Sequence, residues 1–186
     1  MRLTAALPIG ALLGGYLVYR LGTRMVTLGG LAVGMTGLFL MSRWTLDISD
    51  PTMTAHLALA GLGFGLVIAP VFITAMDSSE EGYEATSASL VTVARMMGMA
   101  FGMAALAAWG MDQFQSSASG LLLPLPTLGQ SATALEAEVA AYTGQVAQIT
   151  MDLFKSFFRI AAGLLLVALL PALGLTKRST RQPTFS

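Results

Sequence analysis

The sequence predicts an all-α membrane protein of five transmembrane helices and a long external loop, and three observations carry that expectation. Hydrophobic residues make up 55% of the 186-residue chain against 11% charged, and the mean hydropathy is +0.72, far from the ordinary soluble mix. A water-soluble core of this size could not hide so much apolar surface. The apolar residues collect in five stretches of about 17 to 22 residues, near the 20 or so that a helix needs to cross hydrocarbon. The stretches are runs of Leu, Ala, Met and Gly without strand alternation. Lipid offers no water to backbone groups, so such runs pair their own N–H and C=O as helices rather than as a barrel.

The first expected span covers residues 3–19 and starts almost at Met1. A signal peptide with Arg2 as its basic end is the competing reading. No Ala-x-Ala site follows it, and Arg20 and Arg24 would hold back the end that a signal peptide translocates. A tight basic turn, Arg20-Leu21-Gly22-Thr23-Arg24, leads into the second span at 25–41. The third span, 55–76, carries Gly61, Gly63 and Gly65 followed by Pro70. Gly61 and Gly65 lie one turn apart, where small residues let a neighbouring backbone approach, since lipid gives helices no hydrophobic drive to associate. Pro70 removes one backbone bond and can bend the helix. His56, the only histidine, sits near the outer end of this span, at the interface or in a proton relay. Asp77 closes it at the inner surface, where solvated helix-end duty competes with proton carrying.

The fourth span, 86–111, holds Gly98 and Gly102 in GxxxG spacing and the methionines Met96, Met97, Met99 and Met103, which suit either a lipid-facing surface or an adaptable pocket. It also holds the one charge inside a span. Arg95 stands eleven residues beyond Glu84, on the order of 16 Å along the axis and so too deep to snorkel fully. An intramembrane arginine costs roughly 2.5 to 3.5 kcal/mol on insertion scales and marks a functional hypothesis by default. Substrate binding, response to a carboxylate, a structural ion pair and a carbonyl clamp all remain open for it. Its helical face holds Ser87, Val91, Gly98, Gly102 and Trp109, which points it at protein rather than lipid.

Residues 112–150 form the expected external loop. Leu121 to Pro126 is apolar and proline-broken, and Thr133-Ala134-Leu135-Glu136 has capping-box spacing, so a short external helix that can run on into the fifth span is expected here, with a flexible linker as the alternative. The fifth span, 152–175, opens on Asp152, Lys155 and Arg159 at i, i+3, i+7, either a ladder of ion pairs or the charged mouth of a pathway. A tail, 177–186, follows with Lys177, Arg178 and Arg181. With five spans, Arg20, Arg24 and this tail fall on one side, which the positive-inside rule makes cytoplasmic; the 112–150 stretch opposite has no Lys or Arg. Residues 1–176 thus read as one transmembrane domain of a bacterial plasma membrane, with the lipid bilayer as its first partner.

Composition excludes several classes. Ten basic residues balance ten acidic ones, so charge does not point to nucleic acid. With no cysteine and one histidine, Cys-ligated metals and His-rich metal centres have no ligands, so neither metal nor cofactor is expected. The aspartates lie near span ends and His56 has no evident serine partner, which argues against an intramembrane protease or other enzyme.

Gly15, Leu17, Arg20, Gly22 and Arg24 resemble the Gly-x-Leu-Ala-Asp-Arg-x-Gly-Arg-Arg loop of the major facilitator superfamily, with Tyr19 in place of the acidic residue, as in the weaker second copy of that motif. The Gly61 to Pro70 run, Arg95-Met96-Met97-Gly98 with Gly102, and the Gln148 to Pro171 stretch are similar to the last helices of the EmrB/QacA drug:proton antiporters. The resemblance implies that the five helices form most of the C-terminal half of a major facilitator fold and belong to a larger multidrug efflux protein. It implies a cytoplasmic gating loop at Gly15, Arg20, Gly22 and Arg24, amphipathic small molecules and protons as partners, and no transport by this part alone. A non-transporting assembly or accessory subunit, or an inactive relic of a transporter gene, is the alternative that hydropathy does not separate.

Overall fold

The computed structural model describes residues 2–121, 123–124 and 131–174, with side chains from residue 6 onward. These residues form five helices and no strand: α1 (Arg2–Leu21), α2 (Thr23–Met41), α3 (Asp50–Asp77), α4 (Glu84–Ala118) and α5 (Ala132–Leu173). Four of them, α2 to α5, are long and apolar enough to cross a membrane, and α1 adds a shorter apolar helix over Ala6–Leu21. The protein is a multi-pass membrane protein by these helices. The expected tail with Lys177, Arg178 and Arg181 lies outside the described residues, as do the side chain of Arg2 and residues 122, 125 and 126 of the apolar 121–126 segment.

The link between α1 and α2 is a single residue. Gly22 sits at φ 81°, ψ 157°, a backbone setting that L side chains rarely adopt and glycine takes freely. Its N–H still closes the last turn of α1 on the Val18 carbonyl at 2.9 Å, and its own carbonyl receives the Val26 N–H at 3.3 Å. The link thereby keeps one helical hydrogen bond with each of the two helices it joins.

α3 is the hub. α1 and α2 pack along most of its length, α5 packs against α2, and α4 touches only α3 and α5, more sparsely. Glycine makes the close approaches. A methyl group on Gly10 would lie 2.6 Å from the Leu62 carbonyl oxygen, one on Gly14 would lie 2.8 Å from that of Leu66, and one on Gly65 would meet the Gly10 Cα at 2.7 Å. On the α2 side a methyl on Gly37 would lie 2.6 Å from the Ala60 nitrogen, and one on Gly63 would run into the Gly34 backbone. Side chains are missing where the backbones touch, and this is how helices associate when the solvent is as apolar as leucine. The Leu66 carbonyl is also the one that loses its partner N–H to Pro70 four residues on. Pro70 itself is fully buried, and Thr74 donates its hydroxyl to the Pro70 carbonyl at 2.8 Å.

The expected external loop is largely helix, and the helix expected near Thr133 runs on into the fifth span. Asp112–Ala118 continues α4, and α5 begins at Ala132 rather than at residue 152. Ser131, not Thr133, caps α5, its hydroxyl accepting the Ala134 N–H at 3.3 Å. No apolar run announced the extension, because Ala, Val and Gln continue a helix at little cost whether or not lipid surrounds it. α4 has 35 residues and α5 has 42, or about 52 and 63 Å at 1.5 Å per residue, against a hydrocarbon core of about 30 Å. Both are longer than one crossing requires.

Candidate functional site

Where α2, α3, α4 and α5 converge, the bundle leaves a cavity of about 450 Å³. α2 contributes Gly30, Leu31 and Gly34; α3 contributes Gly63, Phe64, Val67, Ile68, Val71 and Phe72; α4 contributes Val91, Ala94 and Arg95; and Leu165 comes from α5. The same glycines that bring α2 onto α3 form part of its wall, and the looser contact of α4 leaves the space open. The lining is apolar except for one group, the Arg95 guanidinium. Arg95 is exposed, with no ion pair or hydrogen bond among the described residues. A chamber of this kind holds hydrocarbon and offers it one cationic donor.

A second, smaller cavity of about 140 Å³ lies between α4 and α5, lined by Gln113, Phe114, Ser117, Ile149, Asp152, Leu153 and Ser156. Of the expected charged mouth, Asp152 and Lys155 pair at 3.2 Å, and Gln148 donates to the same Asp152 oxygen at 3.4 Å. Arg159 is exposed and stays outside the pair.

The other expected site residues are spread over the bundle. Gly15 meets only the Ala69 Cβ, at the 3.9 Å of ordinary contact. Arg20 lies over the Tyr16 ring, 5.4 Å from its centroid, and Arg24 is half-buried in the first turn of α2. Asp77 ends α3 exposed. His56 accepts a hydrogen bond from the Trp44 indole. Gly61, Gly65 and Pro70 are buried in α3. Gly98 and Gly102 would meet nothing within 4 Å if they carried a methyl, so among these five helices they pack against no neighbour, in contrast to the expectation from their spacing. Spacing alone cannot tell a packed glycine face from a bare one.

The residues missed from sequence are the partners of α3: Gly10 and Gly14 on α1, and Gly30, Gly34 and Gly37 on α2. Their signal was present, since both helices carry the same i, i+4 glycine pairing as α3.

No family model matches the chain. It is 36% identical over 183 residues to a triacylglyceride transporter of Mycolicibacterium hassiacum, covering 88% of this chain and 33% of that protein. It is 35% identical over 184 residues to a probable triacylglyceride transporter of Mycobacterium leprae, covering 93% of this chain and 35% of the relative. A triacylglyceride transporter of Mycobacterium tuberculosis is 34% identical over 168 residues, covering 84% of this chain and 32% of that protein. The chain therefore spans about a third of the length of the curated relatives it matches. These findings correct the resemblance drawn from the sequence. The relatives are named for triacylglyceride and not for drug and proton exchange, so the EmrB/QacA drug:proton antiporter reading is overturned, and no family model supports the major facilitator assignment.

Proposed function

We propose that this chain is part of a plasma-membrane transporter that moves triacylglyceride-class lipids, with α1 to α5 all crossing the bilayer and the C-terminus in the cytoplasm. The observation that carries the reading is identity of 35 to 36% with named triacylglyceride transporters over about nine tenths of the chain. The cavity supports it chemically. An apolar cavity of 150 Å³ accepts one benzene, so about 450 Å³ corresponds to roughly 18 carbons, the size of one long acyl chain. Arg95 stands at the wall with donors free for the ester carbonyls of such a lipid, which accept hydrogen bonds but carry no charge. Arg20 and Arg24 on one side, opposite a stretch without Lys or Arg, support this orientation.

A chimera tests this. The matching third of the Mycolicibacterium hassiacum transporter is replaced by this chain, the hybrid is produced in a mycobacterial strain lacking its own transporter, and triacylglyceride in the outer envelope is measured. The hybrid restores it, and Val67→Trp, which fills the cavity, abolishes the restoration while leaving protein level intact. No restoration by a well-produced hybrid, or full restoration with the cavity blocked, overturns the reading.

A further inference from the structure

One cluster shares only Leu165 with the cavity wall and has no role in the transport reading. Trp44, on the connection between α2 and α3, donates its indole N–H to His56 Nδ1 at 3.0 Å. The two rings lie edge to edge and near one plane, with centroids 6.5 Å apart and an interplanar angle of 20°. The far edge of the same indole meets Phe158 of α5 at 5.7 Å and 65°, and Trp44 packs with Phe158, Ala161 and Leu165 on the buried cluster of Leu38, Met41 and Ala60. One side chain thus joins the end of α2, the first turns of α3 and the middle of α5.

We propose that Trp44, His56 and Phe158 form a pH-sensitive latch that holds the α2–α3 connection against α5 and opens on acidification. The indole has only an N–H to give and no acceptor. The bond at 3.0 Å therefore requires a lone pair on His56 Nδ1 and places the ring proton of the neutral imidazole on Nε2. A second proton converts Nδ1 into a donor facing another donor, and the bond cannot survive. The sign follows directly: the latch is closed where the imidazole is neutral and is lost as pH falls. Imidazole is the side chain whose ordinary titration falls between pH 5 and 8.

The charged groups on the surrounding elements do not replace the indole. Arg43 on the connection lies over the Phe39 ring at 5.1 Å, Lys155 of α5 pairs with Asp152 at 3.2 Å, and Asp50 in the first turn of α3 has an interaction of its own. Asp47 on the connection and Arg159 on α5 are exposed. Among the described residues none forms an ion pair with His56.

The chain has two tryptophans, so a Trp109→Phe background reports on Trp44 alone. In lipid nanodiscs, acrylamide quenching of Trp44 is low at pH 8 and rises in a single-proton transition by pH 5. His56→Gln keeps an acceptor that does not titrate, and with it quenching stays low across the range. Quenching of the parent that does not change with pH, or a His56→Gln protein that still titrates, overturns the latch. Neither outcome bears on lipid transport, which is read separately by the chimera.

Discussion

α1, α2 and α3 on one hand, and α4 and α5 on the other, are built from similar amino acids and packed in opposite ways. Both halves are rich in glycine and alanine. In the first, glycines face backbones: Gly10, Gly14, Gly34, Gly37, Gly63 and Gly65 all stand where a methyl would collide with a neighbour or touch it. In the second, Gly98, Gly102, Gly144 and Gly163 stand in open space, and Gly110, against the Phe157 ring, is the exception. Nearly half of the apolar window of α2 is buried, and none of that of α4. In a bilayer, small residues hold helices together only where another helix presents a matching surface. The tight half behaves as a scaffold; the loose half leaves the cavity and carries Arg95 on its wall.

That contrast can be broken by substitution. The largest effect is expected at the α2–α3 contact. Gly63→Ala drives a methyl into the Gly34 backbone, and since neither backbone can yield locally the helices must separate, at a cost of about 1–3 kcal/mol, read as a drop in unfolding free energy in mixed micelles. Gly22→Ala comes next. It keeps the link but forces an alanine to positive φ, for about 1–2 kcal/mol, measured the same way. Ser131→Ala removes the cap on the projecting end of α5 and costs about 1 kcal/mol of local helix stability, visible as faster amide exchange in residues 132–136 with the bundle unaffected. Gly102→Ala should be the mildest of the glycine changes: the space is open, and alanine favours helix by up to about 1 kcal/mol. A loss as large as that at Gly63 would break the comparison, showing that α4 is covered in the membrane by chain beyond these five helices. The smallest effect belongs to Asp152→Asn. The Asp152 carboxylate is 60% exposed, and exposed pairs contribute within about 1 kcal/mol, so stability in 1 M salt and in low salt should differ little between the variant and the parent.

Much of the architecture was legible beforehand. Five apolar stretches marked five helices, Gly22 marked the reversal between the first two, and Gly61, Gly65 and Pro70 marked the buried face of α3. The α3 pattern could be read because it alternates: Gly61 and Gly65 face one way and Gly63 another, as the side-chain period of a helix requires. The ends of α4 and α5 were not legible from hydropathy. A helix that leaves lipid changes solvent without changing backbone, so the apolar signal stops where the helix does not. The Trp44–His56 pair was equally hidden, since the eleven intervening residues carry no motif and only the fold of the connection brings the rings together.

By itself the sequence indicated a chain that lies in hydrocarbon with a helical backbone, because only helices and closed barrels pair every N–H and C=O without water and these runs lack the strand alternation of a barrel. It also placed one cation, Arg95, within a span. Only the tertiary structure decided which glycines meet a neighbour, and with them where the cavity opens. A glycine looks the same in sequence whether it faces a backbone at contact distance or open space, and that difference is a property of the second helix.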